Sequence, residues 1–174
     1  MRLPTVIAII ALLLLPSAAW AQAETAERPF AWDVVKGVVL DPTTYAPAII
    51  THQAMTWDWR TSQVLFANGW VEANPRFTVT GFPNDLPVPY DEGRQLIRRT
   101  ALGVLAQSAI NNAAAGVAER LLISKYPSKK TLIRTISWAE RIGFAALLSY
   151  RASAAHIKQG AANRRLAREY GFSR

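Results

Sequence analysis

Apolar and polar positions along the chain recur with the period of helices, in three long stretches separated by turn residues. The first stretch runs from about 42 to 67 and contains THQAMTWDWRTSQVLFA, an aromatic, apolar run with an acid, Asp58, deep inside it. Asp41 is placed to cap it and Pro42 to occupy its first position, while Asn68-Gly69 supplies a left-handed stop. Pro47 lies five residues in, where a missing N–H and a bulky ring kink a helix or move its true start. The second stretch, about 91 to 125, opens on Asp91-Glu92 and stops before Pro127; its middle, Thr100 to Ala118, carries no charge. The third, about 129 to 169, follows Ser128 as a cap, with Gly160 as a point of bending.

A shorter apolar piece, Phe30 to Leu40, precedes these and reads as a short helix. Residues 70 to 90 hold Pro75, Pro83, Pro87 and Pro89 with Gly81, and form the one long loop. Arg76 to Thr80 alternates as a strand would, with no second strand in view to pair with. The expected fold class is all-α: a bundle of three long helices plus one short helix, with one long Pro/Gly-rich loop. A loop of that length is usually functional or packed as a lid.

The N-terminus changes the picture of where this bundle works. Arg2 precedes Val6 to Leu15 (VIAIIALLLL), then Pro16 and Ser17-Ala-Ala-Trp-Ala21, the pattern of a secretory signal peptide cut after Ala21 or Ala23. Its apolar core is about ten residues, short of the roughly 20 that span a bilayer. The chain divides accordingly into a signal peptide (1–21), an N-terminal segment with the short helix (22–41) and a single helical domain (42–174). The formal charge is +8, and removing Arg2 leaves +7. In an exported protein that balance points to anionic membrane lipids or an envelope protein partner, not to nucleic acid. The expected location is the cell envelope, periplasmic and membrane-associated. Integral insertion stays open because Thr100 to Ala118 approaches spanning length, although Glu140, Arg141, Arg151 and Lys158 interrupt the third helix.

There is no cysteine, which excludes disulfides, thiol chemistry and Cys-type zinc sites. No phosphate-binding glycine loop, nucleophile elbow or HExxH is present, so the sequence assigns no catalytic residue, metal or cofactor and leans away from an enzyme.

Asp58-x-x-Thr61, Leu65, Gly69 and Glu72-x-Asn74-Pro75 resemble the first-helix signature of a small, uncharacterised bacterial membrane-protein family. The resemblance covers about 20 residues and implies a few helices in or on the cytoplasmic membrane, with no catalytic residue to carry over. Trp57, Trp59 and Arg60 beside Asp58, and the charges of the third helix, depart from that pattern.

The candidate polar cluster comprises Asp58, Glu72, Asn74, Asn111, Asn112, Arg151 and His156. Buried polar groups must find partners, and the economical network joins Asp58 to Arg151 or to an Asn111 or Asn112 amide, with His156 nearby. Such a network is either interhelical glue that fixes register or a binding site. Glu72-x-Asn74-Pro75 is likewise either a turn or, through Glu72, one of two paired carboxylates. His52 and His156 with Asp58 and Glu72 would make a two-His-carboxylate set, for which no diagnostic spacing speaks. Two functions follow: a structural or interaction bundle at the membrane, using the long loop as contact surface, or a membrane-associated enzyme or small-ligand binder using the Asp/Glu/Arg/His cluster.

Overall fold

The computed structural model describes residues 30–172. The expected signal peptide and residues 22–29 lie outside the described residues. Four α-helices follow in order: α1 (Phe30–Leu40), α2 (Pro42–Phe66), α3 (Tyr90–Lys125) and α4 (Lys130–Glu169), with 3-10 turns at Pro75–Phe77 and Pro127–Lys129. The fold is all-α, and no strand occurs among the described residues.

Local chemistry sets the helix ends. The Asp41 carboxylate accepts from Thr43 N at 2.9 Å and from the Thr43 hydroxyl at 2.7 Å, and Pro42 takes the first position, where no N–H is needed. At the other end of α2, Gly69 adopts φ +83°, Trp70 N donates to Leu65 O and Gly69 N to Phe66 O, a Schellman stop. The end of α4 repeats it: Gly171 sits at φ +71°, Phe172 N donates to Ala167 O and Gly171 N to Arg168 O.

Pro47 lies buried inside α2 without ending it. Its ring leaves Thr43 O without the usual N–H four residues on, and the fully buried Ser108 hydroxyl of α3 donates to that oxygen at 3.0 Å. A polar residue in the uncharged middle of α3 thus repairs a proline defect in its neighbour.

α2 and α3 run antiparallel, with Gly93 against Trp59 at one end and Asn112 against Thr44 at the other. α4 runs parallel to α2, pairing Arg141 with Asp41 and His156 with Asp58. Arg141 joins the three long helices by contacting Asp41 at the α2 cap, Glu119 on α3 and Ser137 on its own helix. Small residues such as Ala54, Ala145, Ser153 and Ala167 line the contacts and let the helices close. The larger apolar core, Met55, Trp59, Phe77, Val88 and Ile97, sits where the long loop folds back.

That loop is pinned to the bundle. Phe77 and Val88 are buried, and Arg76 to Thr80 does find a partner inside the loop itself: Val79 N donates to Leu86 O and Val88 N to Phe77 O. The partner was hidden in the sequence because Pro87 interrupts it, and pairing remains two isolated bridges, Glu72 with Asp85 and Thr78 with Pro87. No helix among the described residues is long and apolar enough to cross a membrane.

Candidate functional site

On α2, Asp58 and Ser62 stand one turn apart; on α4, His156, Gly160 and Asn163 recur at i, i+4 and i+7 and so share one face. Gly160 brings the two stripes together. A Cβ there would lie 2.8 Å from the Trp57 ring, so only glycine admits the indole against the helix. With the helices this close, His156 Nδ1 meets Asp58 Oδ2 at 2.8 Å. Asn163 Nδ2 donates to Asp58 Oδ1 at 3.2 Å and to Ser62 Oγ at 2.8 Å, and Gln159 donates to Asn163 Oδ1 at 2.9 Å. The Ser62 hydroxyl donates to Asp58 O at 3.0 Å. A carboxylate only accepts, so Nδ1 carries the proton and orients the ring, leaving Nε2 for a partner from outside the pair.

The loop delivers Glu72 to the same place. After the Schellman turn at Gly69 the chain reverses, and Glu72 exchanges two backbone hydrogen bonds with Asp85, at 2.8 and 3.2 Å. Its side chain accepts from Asn74 N at 2.7 Å; Asn74 in turn accepts from Arg76 N at 3.1 Å, and Pro75 starts the 3-10 turn. Each member of Glu72-x-Asn74-Pro75 therefore has a turn role. Glu72 also has an electrostatic one. Partial burial raises its pKa above the ordinary value of 4.5, and the Asp58 charge adds to this, while the Asn74 and Ala73 amides and His156 pull the other way.

These groups open on one cavity of about 330 Å³, near the lower end of the volumes typical of ligand pockets. Its polar lining is Asp58, Ser62, Glu72, Asn74, His156, Gln159 and Asn163, and its aromatic walls are Trp59, Phe66, Trp70 and Phe77. The walls are held in place: Trp59 Nε1 donates to Tyr90 O at 3.1 Å, and Trp70 packs edge-on to Tyr170 with ring centroids 5.6 Å apart. Tyr170 then stacks on Phe172, so the ends of α2 and α4 close this side of the cavity together.

Four of the seven candidates from the sequence, Asp58, Glu72, Asn74 and His156, meet here. The expected partners of Asp58 do not. Arg151 is exposed, five residues before His156 and so about 140° round the α4 helix from it. Asn112 is buried and donates to Thr43 and Thr44 at 2.9 and 2.8 Å; because α3 is antiparallel to α2, that is roughly 20 Å along the helix from Asp58. Asn111 donates to Glu140 at 3.1 Å. The carboxylate's partners are His156 and Asn163, and Asn163 carried a signal: the spacing of His156, Gly160 and Asn163 matches one helix face.

The two-His-carboxylate set does not assemble. His52 is exposed on another face of α2, and among the described residues no group of three or more His, Asp or Glu is placed to hold a metal ion.

Fold and site together define a helical bundle with a carboxylate–histidine pair inside an aromatic-walled cavity. No family model, curated protein or solved structure matches the chain.

Proposed function

We propose that this is an exported envelope protein whose bundle presents a small-ligand binding pocket at the Asp58–His156–Glu72 cavity. The observation that carries the reading is convergence: two helices and the long loop bring Asp58, His156, Asn163 and Glu72 to one cavity with fixed aromatic walls. A network serving only as glue needs no cavity, and Glu72 would be less costly on the surface than half-buried near Asp58. The chemistry available is a histidine positioned by a carboxylate, plus a second carboxyl that protonates more readily than usual. Those groups recognise a ligand and move a proton; no activated nucleophile stands beside them, so binding is the function assigned. The export signal and the family resemblance support the envelope location.

The test is a ligand-observed NMR screen of small polar compounds against the wild type and Ala155→Phe. Ala155 is an exposed part of the cavity lining and makes no side-chain hydrogen bond, so the larger side chain takes up cavity space without removing a polar group. Compounds that bind the wild type and not the variant support the reading. Absence of any such compound refutes it.

A second feature supports peripheral attachment to anionic lipid. The turn between α3 and α4 exposes Leu121, Leu122, Tyr126 and Leu132 among Lys125, Lys129, Lys130 and Arg134. Apolar side chains set in a cluster of cations suit an anionic membrane surface. Release from membranes by high salt supports docking of this kind, whereas retention through alkaline carbonate refutes it.

A further inference from the structure

The chain carries 20 Lys and Arg against 12 Asp and Glu, yet among the described residues no lysine or arginine lines the cavity, while two carboxylates do. With His156 protonated, it balances Asp58 and leaves Glu72; with His156 neutral, both carboxylates are unbalanced. With Glu72 ionised, the cavity is therefore negative in either state of His156. Glu72 forms no ion pair among the described residues.

Several lining donors are already turned to protein acceptors, while the Trp70 indole N–H and the Asn74 side-chain amide have none among the described residues. Ser62 donates to Asp58 O, Asn163 to Asp58 and Ser62, Gln159 to Asn163, and Trp59 to Tyr90 O. Glu72 is held only by backbone amides, those of Asn74 and Ala73, and no side chain donates to it among the described residues. A ligand entering here meets spare acceptors, negative charge and the pinned rings of Trp59 and Trp70, whose π faces attract cations. An anion would face Asp58 and Glu72 with no lysine or arginine beside it.

We infer that the cavity takes a small organic cation, an ammonium group carrying apolar substituents, seated between the Glu72 carboxylate and the aromatic walls. This rests on the reading of the cavity as a ligand site and names the class of ligand. The volume of about 330 Å³ admits a headgroup of that size. Bringing the cation in supplies the partner that the half-buried Glu72 lacks, and Asp58 adds to the attraction.

The test is a titration of the full folded protein, by calorimetry, with three probes of near-equal shape and different charge: choline, 3,3-dimethylbutan-1-ol and 3,3-dimethylbutanoate. The expected order is cation, then alcohol, then anion, with choline at least about tenfold tighter than the alcohol. In Glu72→Gln, which keeps the oxygen that accepts from Asn74 N, the choline preference should shrink by about tenfold while the thermal melt remains cooperative. In Ala155→Phe all binding should be lost. If the alcohol or the anion binds as tightly as choline, the cation assignment falls and the ligand-site reading stands. If none of the three binds to the folded wild type, the cation assignment falls, and the compound screen decides the ligand-site reading. Choline preference unchanged in both variants places the cation elsewhere on the protein and also overturns the assignment.

Discussion

Gly93 sets how closely α3 can approach α2, and replacing it with alanine tests the packing around the candidate site. The added Cβ would lie 2.3 Å from the Trp59 ring, more than 1 Å inside the usual carbon–carbon contact of about 3.5–4.0 Å. Trp59 is 4% exposed, bonded to Tyr90 O and packed against Phe66, Phe77 and Tyr90, so its ring has no free direction except the cavity. Forcing it to move costs about 1–3 kcal/mol of overpacking and about 1 kcal/mol for the indole hydrogen bond. Alanine returns about 1 kcal/mol through its higher helix propensity. The net expectation is a loss of roughly 1–3 kcal/mol. Gly103, on the same helix, meets nothing within 4 Å, so Gly103→Ala should gain up to about 1 kcal/mol from propensity alone. Urea unfolding followed by circular dichroism reads both on one scale, and Trp59 should report the shift as a changed fluorescence spectrum in Gly93→Ala only. Equal stability of the two variants, or a gain in Gly93→Ala, would refute the close approach.

Three further outcomes follow from particular contacts. The raised pKa of Glu72 means the unfolded chain ionises first as pH rises above 4.5, so stability is lost as pH climbs through the raised folded value. Glu72→Gln removes that loss: its melting temperature should match wild type near pH 4 and exceed it at pH 7, and a constant offset across that range would contradict the burial argument. Ser108→Ala should cost about 1–2 kcal/mol, because it orphans Thr43 O, and the cost should shrink in a Pro47→Ala background, where residue 47 regains its N–H; equal costs in both backgrounds would deny the repair role. Arg141→Met should cost about 3 kcal/mol by leaving the Asp41 and Glu119 carboxylates without their shared cation, and an unfolding midpoint within error of wild type would remove Arg141 as the tie between helices.

The class of fold was legible because its signals are local. Apolar periodicity, Asp41-Pro42, Asn68-Gly69 and Pro127 each act through the chain within a few residues. The site was half legible for the same reason. Asp58 and Glu72-x-Asn74-Pro75 attract notice as an acid within an aromatic helix and as a turn signal. Which residues they meet depends on helix order and register, and these are set by contacts far apart in sequence: Gly160 against Trp57, Gly93 against Trp59 and Ser108 on Thr43 O. A glycine in a helix reads as a bend until its neighbour is known; in this protein Gly160 is a point of contact. Arg151 looked like the natural partner for Asp58 because opposite charges attract, but the face of α4 that packs inward is fixed by its small residues Ala145, Ser153 and Gly160, and Arg151 lies off that face.

The proposed function requires the Asp58 cluster to be a site built at some cost to stability, and not the glue of the bundle. Urea unfolding of Asp58→Asn decides between these most directly. Asparagine keeps an oxygen for Asn163 and offers its amide to His156 Nδ1 once the imidazole proton moves to Nε2, so a site residue should lose less than about 1 kcal/mol. A loss of about 3 kcal/mol or more, the size of a broken buried pair, would mean that Asp58 holds α2 to α4 and would contradict the account.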